Sequence, residues 1–228
     1  VGLSIESVER TIAFGEEVGN AHPTRLGGDV VPWPAHVRLK GGHATRTQRV
    51  RDARGVRIAT KPLVLVTLAG GGWHLETRRI MERFPTSSAR FAYVYGHHSG
   101  NHSAARLELP APGERYPVSY LGPTRRTRFG FLSNAVRFVR SCVSAVALVA
   151  RLRPDAVLSV GHPAAIPLCL AGKLLGARTV FVESLTRVVE LSLTGRIMYH
   201  LRLADRLYVQ WASLAERYPR SVHAGSVL

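Results

Sequence analysis

The sequence predicts an α/β fold: a single Rossmann-like domain with a parallel sheet, preceded by a basic leader over residues 1–62. Three observations lead to it. Short, wholly apolar runs recur along residues 63–228, as strands buried on both faces of a parallel sheet require. Stretches with helical periodicity separate most of these runs, and such alternation implies right-handed crossovers. Finally, 166 residues suit one domain of this kind.

In chain order, residues 63–69 (LVLVTLA) form the first apolar strand, broken by Gly70-Gly71-Gly72. A helix is predicted over 74–84 and a second strand over 90–95. A loop rich in Gly, Pro and His follows, with a short strand expected near 116–119. Next come a long helix over 131–152, a strand over 156–160 and a helix over 164–175. A strand over 179–182, a helix around 192–203, a strand over 206–209 and a short helix over 212–218 complete the series.

Composition narrows the function classes. The chain has 228 residues, 46% of them hydrophobic, which excludes a wholly disordered polycation. Its net charge of +16 calls for an anionic partner: nucleic acid, an acidic membrane surface or a phosphorylated ligand. Of this charge, +12 belongs to residues 63–228. Residues 1–35 are mildly acidic, whereas 36–62 carry +7 and show no sustained helical or strand period. The leader is therefore read as mostly disordered. It either binds nucleic acid or lipid, or is a functionless tail from a start assigned too far upstream. Cys142 and Cys169 sit in apolar stretches as buried thiols of a reducing compartment. No secretory signal opens the chain, and no apolar stretch approaches the roughly 20 residues that span a bilayer. The expected location is the cytosol or the cytosolic face of a membrane.

Three features carry candidate chemistry. A strand ending in three glycines before a helix is a phosphate-binding geometry, since glycine admits the ligand and the helix N-terminus presents free N–H groups. Neither the dinucleotide fingerprint nor Walker A is matched, because Leu75 stands where the former needs glycine. His74 at the mouth of this turn has a pKa suited to proton transfer. The second feature is an arginine-rich, acid-free interval from Arg115 to Pro154. On the long helix, Ser133, Arg137, Arg140, Ser144 and Arg151 lie within about 60° of one another. Either the helix sits on anionic lipid, or it packs deeply on the sheet with its arginines solvated. Nucleic acid ranks lower, as aromatics are scarce around the arginines. The third, His97, His98 and His102, lies in a Gly- and Ser-rich loop and reads as mobile surface; no metal site is expected.

From Arg153 onward the residues carry a family resemblance. The runs are Arg153-Pro154-Asp155, Ile166-Pro167-Leu168-Cys169-Leu170-Ala171 and Lys173-Leu174-Leu175-Gly176. Val182-Glu183-Ser184 with Arg187, the stretch from Leu191 to Arg196, Ala204-Asp205, Val209-Gln210-Trp211 and Arg217-Tyr218-Pro219-Arg220 follow. Together with the glycine turn, they resemble the asparagine-linked glycosylation fourteen family and its bacterial exopolysaccharide relatives.

The resemblance implies half an enzyme: the acceptor-side, N-terminal half of a GT-B glycosyltransferase. A separate nucleotide-sugar-binding subunit, resembling asparagine-linked glycosylation thirteen, would hold the UDP-sugar donor, so this chain would bind no cofactor. It would sit peripherally on the cytosolic membrane face, recruit that partner, and bind a lipid-pyrophosphate-linked saccharide as acceptor. On this basis Gly70, Gly71, Gly72 and Glu76 would face the acceptor pyrophosphate, with His74 as candidate general base. Arg125 and Arg128, in the stretch Arg125-Arg126-Thr127-Arg128 that resembles the family's arginine element before the long helix, would hold phosphate or lipid headgroups. Glu183, Ser184 and Arg187 follow a strand, where α/β ligands bind; an internal Glu183–Arg187 ion pair is the other possibility. Arg137 and Arg140 would meet the membrane, and Trp211 and Tyr218 would serve as core aromatics or as anchors for the partner. Two positions depart from the family's pattern. Gly-Gly-Trp73-His74 replaces Gly-Gly-His, and Gly161-His162-Pro163 replaces a Gly-Pro turn. A non-enzymatic basic scaffold and a self-sufficient nucleotide-dependent enzyme remain the alternatives.

Overall fold

The computed structural model describes residues 49–51, 57–59, 61–84, 88–97, 108–119 and 130–227. The strands are β1 (Arg49–Arg51), β2 (Arg57–Ala59), β3 (Leu63–Leu68), β4 (Arg90–His97), β5 (Gly113–Ser119), β6 (Ala156–Val160), β7 (Arg178–Val182), β8 (Arg206–Val209) and β9 (Val222–His223). The helices are α1 (Gly72–Arg83), α2 (Gly130–Leu152), α3 (Ala165–Leu174), α4 (Leu193–His200) and α5 (Ala212–Arg217). β3 to β9 form one parallel sheet of seven strands in the order β5-β4-β3-β6-β7-β8-β9. The Rossmann-like expectation is the architecture observed. Residues 36–62, read as lacking strand period, contain the antiparallel pair β1–β2. Three residues a side are too few to show alternation in sequence.

Strand residues alternate between two cores. Leu65, Val157, Phe181 and Leu207 pack with Ala145 and Val149 of α2, Leu168 and Cys169 of α3 and Met198 of α4. Val64, Val66, Leu158, Val160 and Val182 face Ile80 and Met81 of α1 on the opposite side. At the amino ends of the strands, Asp155 accepts a hydrogen bond from the Leu63 amide (2.8 Å) and Asp205 from that of Thr179 (2.9 Å). Each aspartate thus fixes the register of the neighbouring strand.

α4 stops three residues short of the expected 203. Arg202 adopts φ +51° and the Leu203 amide returns to the Met198 carbonyl, a left-handed ending usually signalled by glycine. α3 ends the same way with Gly176 at φ +83°.

The arginine helix is not packed deeply on the sheet, one of the two alternatives the sequence left open. Among its described side chains, the buried seam is narrow: Ser141, Ala145 and Val149. Val136, Val139 and Val143 are 54%, 58% and 63% exposed, and Arg137 and Arg140 lie exposed beside them. These valines therefore join the arginines at the surface. The small side chains of the seam are what let the helix approach the core.

Candidate functional site

The strand order places the site. From β3 the chain builds outward to β4 and β5, then crosses through α2 to β6 and builds the other way. The crevice at the carboxyl ends of β3 and β6 is the point of reversal, where open α/β sheets bind ligands. Beneath it, the buried hydroxyls of Thr67 and Ser159 join the two central strands at 2.6 Å.

The glycine turn forms one wall. Gly71 adopts φ +70°, which favours glycine, and caps α1 without any side-chain hydrogen bond. A methyl group built on Gly71 or Gly72 would touch nothing within 4 Å, so the backbone here faces open space. His74, one turn in, is half-buried, and its Nδ1 is buried without a hydrogen-bond partner. Burial and the nearby charge of Arg78 hold its pKa below the ordinary 6.5, leaving a neutral imidazole at neutral pH.

The two departures from the family pattern meet each other. The rings of Trp73 and His162 stack edge to face with centroids 5.4 Å apart. Gly161, at φ +57°, lies under the indole; a methyl group there would come within 2.5 Å of Trp73 Nε1 and 3.2 Å of Ser184 Cβ. His162 is buried, its Nδ1 accepting from the Ala164 amide (3.2 Å), and burial lowers its pKa to about 4. It is a neutral support, not a proton carrier.

The opposite wall is the segment after β7. Glu76 of α1 is buried and accepts from Ser184 Oγ (2.8 Å), Gln210 Nε2 (3.0 Å) and the Leu185 amide. Glu183 is fully buried; its carboxylate accepts from the amides of Ser184 and Ser192 and from Ser192 Oγ, each at 3.0 Å. Both carboxylates are buried and engaged by protein donors that hold the walls together, rather than pointing out of the crevice as the resemblance implies. Glu183 has its hydrogen-bond partners in Ser184 and Ser192, not in an ion pair with Arg187, whose side chain is exposed. Gln210, in the run Val209-Gln210-Trp211, is a structural link that the motif alone does not reveal. Its amide joins Glu76, the Glu183 carbonyl and the Val227 amide. The signal available for it was only a polar residue directly after an apolar strand.

Of the other expected residues, Trp211 is partly exposed and donates from Nε1 to the Leu185 carbonyl (2.7 Å). Tyr218 is half-buried against Tyr199. Ser213 and Arg217 bond the carbonyls of Val188 and Val189, leaving those two valines and Leu193 exposed. Arg125 and Arg128 lie outside the described residues. Among the described residues, no group of three His, Cys, Asp or Glu side chains is placed to hold a metal, and no helix is long and apolar enough to cross a membrane.

Residues 64–227 match the family described as "Oligosaccharide biosynthesis protein Alg14 like". The chain belongs to this family. Within it, the chain is 31% identical over 184 residues to the UDP-N-acetylglucosamine transferase subunit ALG14 of Rattus norvegicus, covering 73% of this chain and 83% of that protein. It is 40% identical over 79 residues to the ALG14 counterpart of Schizosaccharomyces pombe, 32% of this chain and 37% of that one. Among solved structures, UDP-N-acetylglucosamine 2-epimerase from Rickettsia bellii aligns with a TM-score of 0.52 at 13% identity, over 73% of this chain and 45% of that chain. MurG from Acinetobacter baumannii aligns at 0.49 and 16%, over 65% and 41%. The likeness to the epimerase concerns the fold alone, and this chain spans less than half of either structure.

Proposed function

We propose that the chain is the acceptor-binding, membrane-recruited subunit of a two-component glycosyltransferase. The partner, a nucleotide-sugar-binding subunit, holds UDP-N-acetylglucosamine, and this chain presents a lipid-pyrophosphate-linked saccharide at the cytosolic membrane face. The product belongs to exopolysaccharide or lipid-linked oligosaccharide synthesis. The observation that carries the reading is the uncovered turn of Gly71 and Gly72 at the point of sheet reversal, with room for a ligand and an uncapped helix N-terminus.

In the reaction, an acceptor hydroxyl attacks the anomeric carbon of the donor sugar, the bond to UDP breaks, and the hydroxyl proton goes to a base. His74 is the candidate base, because a neutral imidazole is the form that accepts a proton. The pyrophosphate lies against Gly70, Gly71 and Gly72, and Arg125 and Arg128, which precede α2 in the sequence, are its proposed cationic partners. Arg187 is the exposed cation on the opposite wall. α2 runs down to β6, so its first half, with the exposed valines, Arg137 and Arg140, lies toward the carboxyl edge of the sheet. Apolar side chains flanked by arginines suit an anionic membrane beside the acceptor site. Trp211 and the exposed Val188, Val189 and Leu193 form the surface assigned to the partner.

The test is co-expression with the partner subunit and transfer from labelled UDP-N-acetylglucosamine to N-acetylglucosaminyl farnesyl diphosphate. Transfer is expected from the pair and from neither chain alone; robust transfer by this chain alone would overturn the two-component reading. His74→Ala is expected to lower kcat by about 100-fold or more, with acceptor binding retained.

A further inference from the structure

We infer that Trp73 determines acceptor specificity: its indole is the platform on which the saccharide ring next to the pyrophosphate stacks. The inference rests on the acceptor-binding reading above and assigns a residue within that site. Trp73 directly follows the open turn of Gly71 and Gly72, so a group held at the turn has its next chemical unit beside the indole. In a lipid-linked glycosyl pyrophosphate the two neighbouring units are the sugar ring and the lipid, and the sugar ring is the one assigned to the indole.

The ring is held in place by its surroundings. His162 packs edge to face against it at 5.4 Å, and Gly161 brings the end of β6 so close that no side chain fits between. Ser184, held by Glu76, borders the same spot, its Cβ 3.2 Å from where a Gly161 methyl would stand. One edge of the indole is thus fixed on three sides while the residue stays only half-buried at the crevice. A half-buried aromatic ring held rigid at the crevice matches the C–H face of a pyranose, just as aromatic side chains line small-molecule pockets generally. Burial keeps His162 neutral, so this wall adds no charge that would compete with the turn for the pyrophosphate.

Two measurements decide it. In the full chain, the emission difference between wild type and Trp73→Phe isolates the Trp73 signal. N-acetylglucosaminyl farnesyl diphosphate is expected to change that signal, whereas farnesyl diphosphate, lacking the sugar, is not. Equal responses to both probes would overturn the inference, as would binding seen by calorimetry with no change in emission. No calorimetric binding of either probe would instead refute the acceptor-binding reading itself. In the reconstituted pair, Trp73→Leu is expected to raise the acceptor KM about two- to ten-fold with kcat little changed, and Trp73→Phe to retain most of the affinity. A wild-type KM in Trp73→Leu would refute the platform, and if that variant fails to fold, Trp73→Tyr and Trp73→Phe supply the comparison.

Discussion

Glu183 shows how much of the site's walls depends on a buried group with protein partners only. Its carboxylate lies at the start of α4, accepting from the amide and hydroxyl of Ser192, and Ser192 Oγ in turn accepts from the Gly195 amide (2.9 Å). A side chain at 195 would collide with Glu183 Oε2, so glycine is required there for close approach and not for its backbone angles. Burial raises the Glu183 pKa above the ordinary 4.5 more than the hydrogen bonds lower it. The folded state therefore holds the proton more tightly than the unfolded chain, and this group's contribution to stability falls as pH rises from about 4.5 through the folded value. Glu183→Gln removes the titration but turns one acceptor into a donor, facing the Ser184 amide when the oxygen keeps both Ser192 donors, and costs about 1–3 kcal/mol. Urea unfolding from pH 4 to 8 should show the gap between wild type and variant narrowing as pH rises. A gap that widens would mean that ionisation stabilises the buried carboxylate. In the sequence, Val182-Glu183-Ser184 reads as a strand end open to ligand. The partners that turn the carboxylates inward, Ser192 for Glu183 and Gln210 for Glu76, belong to later segments that only the fold brings near.

At the scale of elements, the centre of the sheet was legible because β3 and β6 are continuous apolar runs, and β6 and β8 begin and end where expected, whereas the edge strand β5 (GERYPVS) starts three residues before its expected 116. What periodicity could not supply was orientation. The 100° spacing on α2 grouped Arg137 with Arg140, yet an angle between residues does not say which side meets the sheet. The decision lies in size: Ser141 and Ala145 permit close approach, and the bulkier Val139 and Val143 are left outside. β9 has two residues and β1–β2 three each, below the length at which a pattern exists. Arg153 and Arg202 close α2 and α4 at φ +46° and +51°, where a sequence reader looks for glycine. The valine stripe yields a test separating membrane contact from packing. Val139→Asp and Val143→Asp together should change stability by no more than about 0.5 kcal/mol per site, since both side chains are exposed. Flotation with phosphatidylserine vesicles should nevertheless fall at least about tenfold, because apolar area and anionic attraction act jointly. Arg137→Glu with Arg140→Glu should do the same, and unchanged flotation in both pairs would remove α2 from the membrane account.

For the whole molecule, the distribution of charge and the topology point the same way. Most of the +16 belongs to residues 63–228, which carry +12, and the described part of them is one sheet with one point of reversal. The crevice at that reversal is walled by an open glycine turn, a fixed indole and inward-facing carboxylates, the arrangement on which the proposed acceptor role rests. The donor would then have to be bound elsewhere, which makes ligand-linked stability the sharpest test of the division of labour. A partner that binds only the folded chain stabilises it by about 2.7 kcal/mol at a hundredfold excess over its Kd. For a domain of this size that corresponds to a rise in Tm of about 5–10 °C. UDP-N-acetylglucosamine alone should leave the Tm of the isolated chain unmoved, yet should raise the Tm of the assembled pair. A shift of several degrees in the isolated chain with UDP-N-acetylglucosamine would place a donor site in this crevice, and the chain would then be a complete enzyme rather than the acceptor half of one.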